Sequence, residues 1–234
     1  MRRSIWLPAV VVAGLVAVAG GSWAYRQPPG ADAGFVDSFP VDRAVLADTG
    51  HNPYFILEPG YQLRYLDGAD ARVITVLPDT ELVDGVRTRV VEERESRDGV
   101  PVEVSRNYFA IDPGTRDVYY FGEDVDDYAG GRVVGHDGSW RSGVDGARFG
   151  LMMPGAPRVG QRHYQEVAPG VALDRAEVLS NTESVQVPAG AFTGVVVVQE
   201  SSPLEPLVTD RKQYAPEVGL LRDGGLQLVR YGPV

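Results

Sequence analysis

Glu103-Val-Ser-Arg-Asn-Tyr-Phe-Ala-Ile-Asp112, then Pro113-Gly114, then Thr115-Arg-Asp-Val-Tyr-Tyr-Phe-Gly122, is the stretch from which the fold is read. Two runs rich in Val, Ile, Tyr and Phe flank a Pro-Gly pair, with Asp112 before it and Asp117 behind. β-Branched and aromatic side chains suit the pleated, half-buried surface of a strand, and Pro-Gly between acids suits a turn. The segment is therefore expected to form a β-hairpin. Glu123, Asp124, Asp126 and Asp127 follow it, ahead of Tyr128 and the glycines Gly130 and Gly131. This is the densest aromatic and carboxylate region of the chain, and so the first place to look for a site.

Outward from this hairpin the same grammar repeats. Strand-like runs are expected at Arg72–Leu77, Val86–Glu95, Val102–Ile111, Val118–Phe121, Arg132–Trp140 and Ala147–Met153. Further runs follow at Arg162–Ala168, Val171–Ser180, Ser184–Val187, Phe192–Gln199, Val208–Tyr214, Gly219–Arg222 and Leu226–Tyr231. Asp-Gly pairs at Asp67, Asp84, Asp98, Asp137, Asp145 and Asp223, with Pro169-Gly170 and Ala189-Gly190, punctuate them. No 3.6-residue apolar period is sustained after Ala24. The expectation is all-β: one antiparallel meander over residues 39–234, closed as a barrel, half-barrel or sandwich.

The amino terminus carries a different signal. Arg2 and Arg3 precede Ile5 to Ala24, a run with no charged residue. Residues 1–24 are expected to form an apolar targeting helix, either a signal peptide cleaved after the small residues Ser22 and Ala24 or a membrane anchor. Either reading places the rest of the chain outside the cytoplasm, in a periplasm, on a surface or secreted. Residues 25–38, with Pro28, Pro29, Gly30 and Gly34, have the composition of a flexible linker. Phe39 to Asp48 has room for one helical turn.

Composition removes several functions. The 234 residues carry a net charge of −10, which becomes −12 once Arg2 and Arg3 are set aside. Nucleic-acid binding needs a basic stripe to displace phosphate counterions, and none is present. Lys212 is the only lysine, with no glycine-rich loop ahead of it, so neither a phosphate loop nor Schiff-base chemistry is expected. The absence of cysteine excludes disulfides, thiolate catalysis, Cys-ligated metals and a lipidated cysteine.

Each candidate for chemistry has a plainer reading. Glu123, Asp124, Asp126 and Asp127 could supply oxygen to calcium, but Ala129 stands where the calcium loop needs glycine, so a solvated loop is the preferred reading. His51, His136 and His163 lack a second ligand at metal-binding spacing. No G-x-S-x-G occurs, and a serine triad would have to be assembled from distant residues such as Ser139, His163 and Asp145. The apolar residues point to a pocket: Tyr119, Phe121, Trp140 and Met152 are the expected ligand-binding residues, with Tyr119 and Phe121 facing inward and Tyr120 outward. Core packing is the plainer and preferred reading of the same four side chains.

Val187-Pro-Ala-Gly-Ala-Phe192, followed at a distance by Tyr214-Ala-Pro-Glu-Val-Gly-Leu-Leu-Arg222, resembles a pattern of exported bacterial β-proteins of unassigned function. Those proteins are similar in turn to the half-barrels of lipoprotein carriers of the LolA and LppX kind. The resemblance covers about 40 residues and implies export and a curved antiparallel sheet. This chain departs from the carriers in lacking their lipid-bearing cysteine and the helices that cover their concave face. The functional expectation is a non-catalytic domain that binds an apolar small molecule or an envelope partner, with no cofactor. A hydrolase built from scattered polar residues is the alternative, and a structural envelope protein the third reading.

Overall fold

Asp-Gly pairs at 84–85 and 98–99 place both residues at positive φ, from 50° to 79°. That is the geometry of the tight hairpin turn, in which Asp tolerates the left-handed region and Gly enters it freely. The computed structural model describes residues 34–234 and is built from such turns. The expected targeting helix and most of the linker lie outside the described residues.

A small hairpin, β1 (Gly50–Asn52) and β2 (Phe55–Leu57), precedes the main sheet. A first meander follows: β3 (Tyr61–Asp67), β4 (Asp70–Val83), β5 (Val86–Arg97), β6 (Val100–Ile111) and β7 (Val118–Ala129). β8 (Arg132–Gly135), β9 (Trp140–Arg141) and β10 (Arg148–Met153) all pair with the free edge of β7, at different heights. After β11 (Arg162–Tyr164) and β12 (Glu166–Val167) comes the second meander: β13 (Arg175–Val187), β14 (Gly190–Ser202), β15 (Glu205–Ala215), β16 (Gly219–Asp223) and β17 (Leu226–Pro233). No α-helix forms among the described residues, the one helical piece being a 3-10 turn at Arg43–Val45.

β17 pairs antiparallel with β3, Tyr231 opposite Leu63, and so joins the two meanders. The remaining edges belong to β13 and β10. Arg162–Tyr164 pairs with β13 and Glu166–Val167 pairs with β10, so one short segment spans the seam and nearly closes the sheet into a barrel. Of the outcomes left open by the sequence, the nearly closed, barrel-like sheet stands nearest the barrel. The β1–β2 hairpin plugs one end: Asn52, fully buried, donates its amide to the carbonyls of Arg116, Met153 and Pro154 at 2.7 to 3.2 Å. The hairpins at 67–70, 97–100, 129–132, 202–205 and 223–226 surround the other end.

Several strand boundaries differ from the expected ones. The run Arg132–Trp140 is broken by a turn at His136–Ser139, where the Ser139 amide donates to the His136 carbonyl. Val171–Ser180 and Ser184–Val187 merge into β13, with register shifts between Val178 and Ser184 absorbing the polar residues between them. The carboxylates at 123–127, expected in a solvated loop, lie inside β7, because the hairpin pairing with β6 continues past the aromatics to Glu103 opposite Asp127. Of the expected linker, residues 34–38 are described, and they are docked: the Val36 amide and carbonyl both bond the β11 backbone.

Residues 39–48 run on along the outside of the barrel. Phe39, Val41 and Leu46 cover an outer apolar cluster that contains Tyr108, Tyr119, Phe121, Phe149 and Leu151. This strap is tied down by the Ala47–Ile111 backbone pair and by Arg89, whose guanidinium meets Asp48 and the carbonyls of Pro78 and Asp79. The sheet is thus apolar on both faces here, and that decides where the aromatics go. In the β6–β7 register Tyr108 opposes Gly122 and Phe109 opposes Tyr120, leaving Phe121 as the extra residue of a β-bulge. Gly122 makes the bulge possible: its φ is +149°, and a Cβ there would lie 2.5 Å from the Trp140 carbonyl oxygen.

Gly122→Ala is therefore expected to destabilise the protein by about 2 kcal/mol or more, the sum of backbone strain and a clash with fixed main chain. Urea unfolding checks this, and an unchanged midpoint would contradict the bulge geometry.

Candidate functional site

A cavity of about 700 Å³ occupies the barrel between the β1–β2 plug and the open end. Its floor is apolar: Phe55, Ile56, Leu63, Val76, Phe109 and Tyr120 line it, and Phe109 stacks on Tyr120 with ring centroids 4.7 Å apart. Above the floor the lining turns acidic. Asp67, Asp70, Asp127 and Asp210 lie toward the rim, Glu93, Glu95, Glu103, Glu200 and Asp223 on the wall, and Glu123, Glu166 and Asp174 beside the seam. Three cations face these twelve carboxyls: Arg72, Arg97 and Lys212.

The register explains the layering. Arg72, Glu95, Glu103 and Asp127 are cross-strand partners in one row, and Ile74, Glu93, Ser105 and Val125 form the next row down. Val76, Val91, Asn107 and Glu123 form a third. The interior therefore becomes less charged over three rows: β5 passes from Glu95 and Glu93 to Val91, and β4 from Arg72 to Ile74 and Val76. β6 passes from Glu103 to Ser105 and Asn107, while β7 keeps Glu123 in the lowest row.

All three cations are engaged by acids, Arg97 by Asp70 at 2.7 Å. Arg72 meets Glu93 at 2.9 Å, Glu95 at 2.7 Å and Asp223. Lys212 meets Glu200 at 2.7 Å and Asp223 at 3.9 Å, and the 22% of its side-chain surface left accessible belongs to a residue that lines the lumen. Burial alone would lower the pKa of both, but the surrounding acids hold both well above their ordinary values. Asp223 would be raised by burial and is instead held below 3.8 by Lys212 and Arg72. Glu93, buried among Arg72 and Glu95, is raised by desolvation.

The seam-side acids have no such partner. Glu103, Glu123, Glu166 and Asp174 form no ion pair with a cation among the described residues. Burial, with the neighbouring Glu95, Glu93 and Asp127, pushes Glu103 up to about 7. Burial pushes Glu123 up to about 8 against the lowering effect of the nearby Tyr120 hydroxyl, and burial with Glu200 pushes Asp174 up to about 6. Glu166 is raised well above 4.5 by burial, with Asp174 adding repulsion. Desolvation disfavours the charged form of a carboxyl, and the nearby donors and cations do not outweigh it here.

The four residues expected to bind a ligand are divided by this arrangement. Met152 lines the cavity, and Gln165 Nε2 lies 3.6 Å from its sulfur. Trp140 is buried behind the lining, its ring edge-on to Tyr120 at 5.2 Å. Tyr119 and Phe121 face the outer cluster under the strap, while Tyr120 faces the lumen, the reverse of the expected orientation. The reason is the second apolar face: Tyr119 packs against Phe39 at 6.0 Å and Phe121 against Phe149 at 4.7 Å.

The acidic group at 123–127 is likewise split across the sheet. Glu123 and Asp127 line the lumen, Asp124 pairs with Arg141 and the Tyr108 hydroxyl, and Asp126 pairs with Arg106 and His136. Among the described residues no three His, Asp or Glu side chains converge to hold a metal ion. His163 is buried with neither ring nitrogen hydrogen-bonded, so it is joined to neither Ser139 nor Asp145, and no triad forms. The seam and wall residues Glu93, Glu95, Glu166, Asp174 and Glu200 were not candidates from sequence. The available signal lay in Glu92-Glu93-Arg94-Glu95, polar on both faces of a strand that a barrel obliges to have an inside.

Comparison with known protein families, curated proteins and solved structures returns no match.

The raised carboxyls set a sign for stability against pH. Glu103 and Glu123 bind a proton more tightly folded than unfolded, so stability falls as pH rises from about 4.5 through 7 and 8. Asp174 acts the same way up to about 6. His163, held down at about 4 by burial, acts oppositely between about 4 and 6.5. His51, whose slight burial is outweighed by hydrogen bonds to Glu58 and Glu217, is raised and shares the sign of the glutamates. Melting temperature is therefore expected to drop between pH 6.5 and 8.5, with Glu123→Gln removing part of the slope. Thermal melts across that range check it, and a flat or rising profile would contradict the burial of these carboxyls.

Proposed function

We propose that this protein is a non-catalytic, extracytoplasmic binding protein whose barrel lumen takes a small molecule with an apolar body. The observation that carries the reading is the 700 Å³ cavity, apolar at its plugged end and open at the other. Binding pockets of a few hundred to a thousand cubic ångströms are mostly apolar with a few placed polar groups, and this one has the size and the gradient. Phe109, Tyr120 and Phe55 offer ring faces and edges on which an apolar body can seat without ordering flexible side chains. The extracytoplasmic address rests on the apolar run Ile5–Ala24 behind Arg2 and Arg3.

An envelope partner is the second reading, supported by apolar side chains exposed near hairpin tips at the open end: Val100, Val134 and Leu207, the last 98% exposed. A hydrolase finds less support, since the histidine of the candidate triad has no partner on either nitrogen.

The neutral fluorophore N-phenyl-1-naphthylamine tests lumen binding. Its emission is expected to rise on the native protein, and the lumen-filling substitution Ser105→Trp is expected to weaken it about tenfold or more. A parallel urea titration separates loss of the lumen from loss of the fold. No emission change with native protein, or undiminished binding by a folded Ser105→Trp protein, would contradict the reading.

A further inference from the structure

The chemistry of the ligand's polar end follows from which lumen charges are already satisfied. Arg72 is surrounded by Glu93, Glu95 and Asp223, and Lys212 by Glu200 and Asp223. Arg97, toward the rim, meets Asp70 at 2.7 Å, so each of the three lumen cations already has an acid partner. The carboxyls are in the opposite condition. Glu166 is 3% exposed and lines the cavity; one of its oxygens accepts the Asp174 amide at 2.7 Å, and its other oxygen has no donor among the described residues. A buried carboxyl with one oxygen unpartnered at the edge of a cavity must find that partner in the lumen.

Glu166 is not isolated. It lies within electrostatic reach of Glu123 on β7, of Asp174 ahead of β13 and of Glu200 on β14. Glu123 in turn feels Glu103 on β6 and Glu93 on β5. The cations on β4 and β15 are paired with their own acids, and Lys212 lowers Asp174 without outweighing its burial. The apolar floor lies below this group, so a molecule with a positive end and an apolar body would match both parts at once.

Resting on the reading of the lumen as a binding site, we propose that its ligand is an organic cation. A primary amine on an apolar body is the class that fits, its ammonium group taken by Glu166 with Glu123 and Asp174. An ammonium group offers three donors and one positive charge, and so satisfies the free Glu166 oxygen while offsetting the like charges around it. A bound cation also stabilises the ionised forms of Glu103 and Glu123, so uptake at pH 7 releases protons.

Three eight-carbon probes test this on the full chain: octylamine, octanol and octanoate, each titrated by calorimetry at pH 7. Octylamine is expected to bind about tenfold or more tighter than octanol, as charge-assisted hydrogen bonds to buried carboxylates imply, and octanoate to bind weakest. Its heat is expected to vary between buffers of different ionisation enthalpy in the sense of proton release. Glu166→Gln, which keeps an acceptor for the Asp174 amide, is expected to reduce the amine preference and leave octanol unchanged. Glu123→Gln, in the same group of acids, serves the same purpose should the first variant fail to fold. Equal binding of amine and alcohol, or tightest binding of octanoate, overturns the cation assignment while leaving the lumen a binding site. Binding by none of the three removes both.

Discussion

Carboxylate in excess of cation, held inside a barrel, is the constraint on which the rest of this structure depends. Isolated buried charges are expensive, and a protein keeps them only by pairing them, hydrogen-bonding them or neutralising them. All three are used here. Arg72 and Lys212 gather four acids into one network, the Asp174 amide holds one oxygen of Glu166, and the remaining seam-side carboxyls hold their protons toward neutral pH. A purely structural barrel would gain by replacing such residues with aliphatics, since well-packed apolar substitutes for buried ion pairs are often neutral or stabilising. Their concentration at one end of the lumen, above an aromatic floor, is the feature on which the proposed ligand rests.

The barrel can carry that load because its stability is assembled elsewhere. The plugged end is a dense aliphatic and aromatic core around Leu57, Phe109, Val196 and Leu228, and the strap covers a second core on the outside around Phe121 and Phe149. Each fully buried large apolar side chain contributes roughly 1.5 to 3 kcal/mol, so two such clusters can offset several poorly solvated carboxyls. The bulge at Phe121–Gly122 connects the two regimes. It lets β7 send Tyr119 and Phe121 to the outer core, then Glu123 and Asp127 to the lumen, although all four positions share the same parity in sequence.

That switch marks the limit of what the sequence reveals. The hairpins were legible: Asp84-Gly85 and Asp98-Gly99 sit in the turns their residue types demand, and the meander follows from them. Barrel closure was legible only as one of three outcomes, because the seam is made by a few residues, Arg162 to Val167, that change partners midway. Met152 was found in the lining, and Tyr119 and Phe121 were not, since alternation assigns faces only where the pleat is regular and one face is wet. Neither condition holds under the strap. The lumen acids were hidden for the converse reason: Glu93 and Glu95 alternate with Glu92 and Arg94, and a strand polar on both faces reads as solvated until the barrel encloses one of them.

Carbon-detected NMR titration of the glutamate side-chain carboxyls measures the central claim at its source. The Glu123 resonance is expected to titrate with a midpoint near 8 and that of Glu103 near 7, with both moving downward when an organic cation fills the lumen. Midpoints near the ordinary 4.5 for both, unchanged by any cation, would mean that these carboxyls are solvated and that the lumen holds no uncompensated charge.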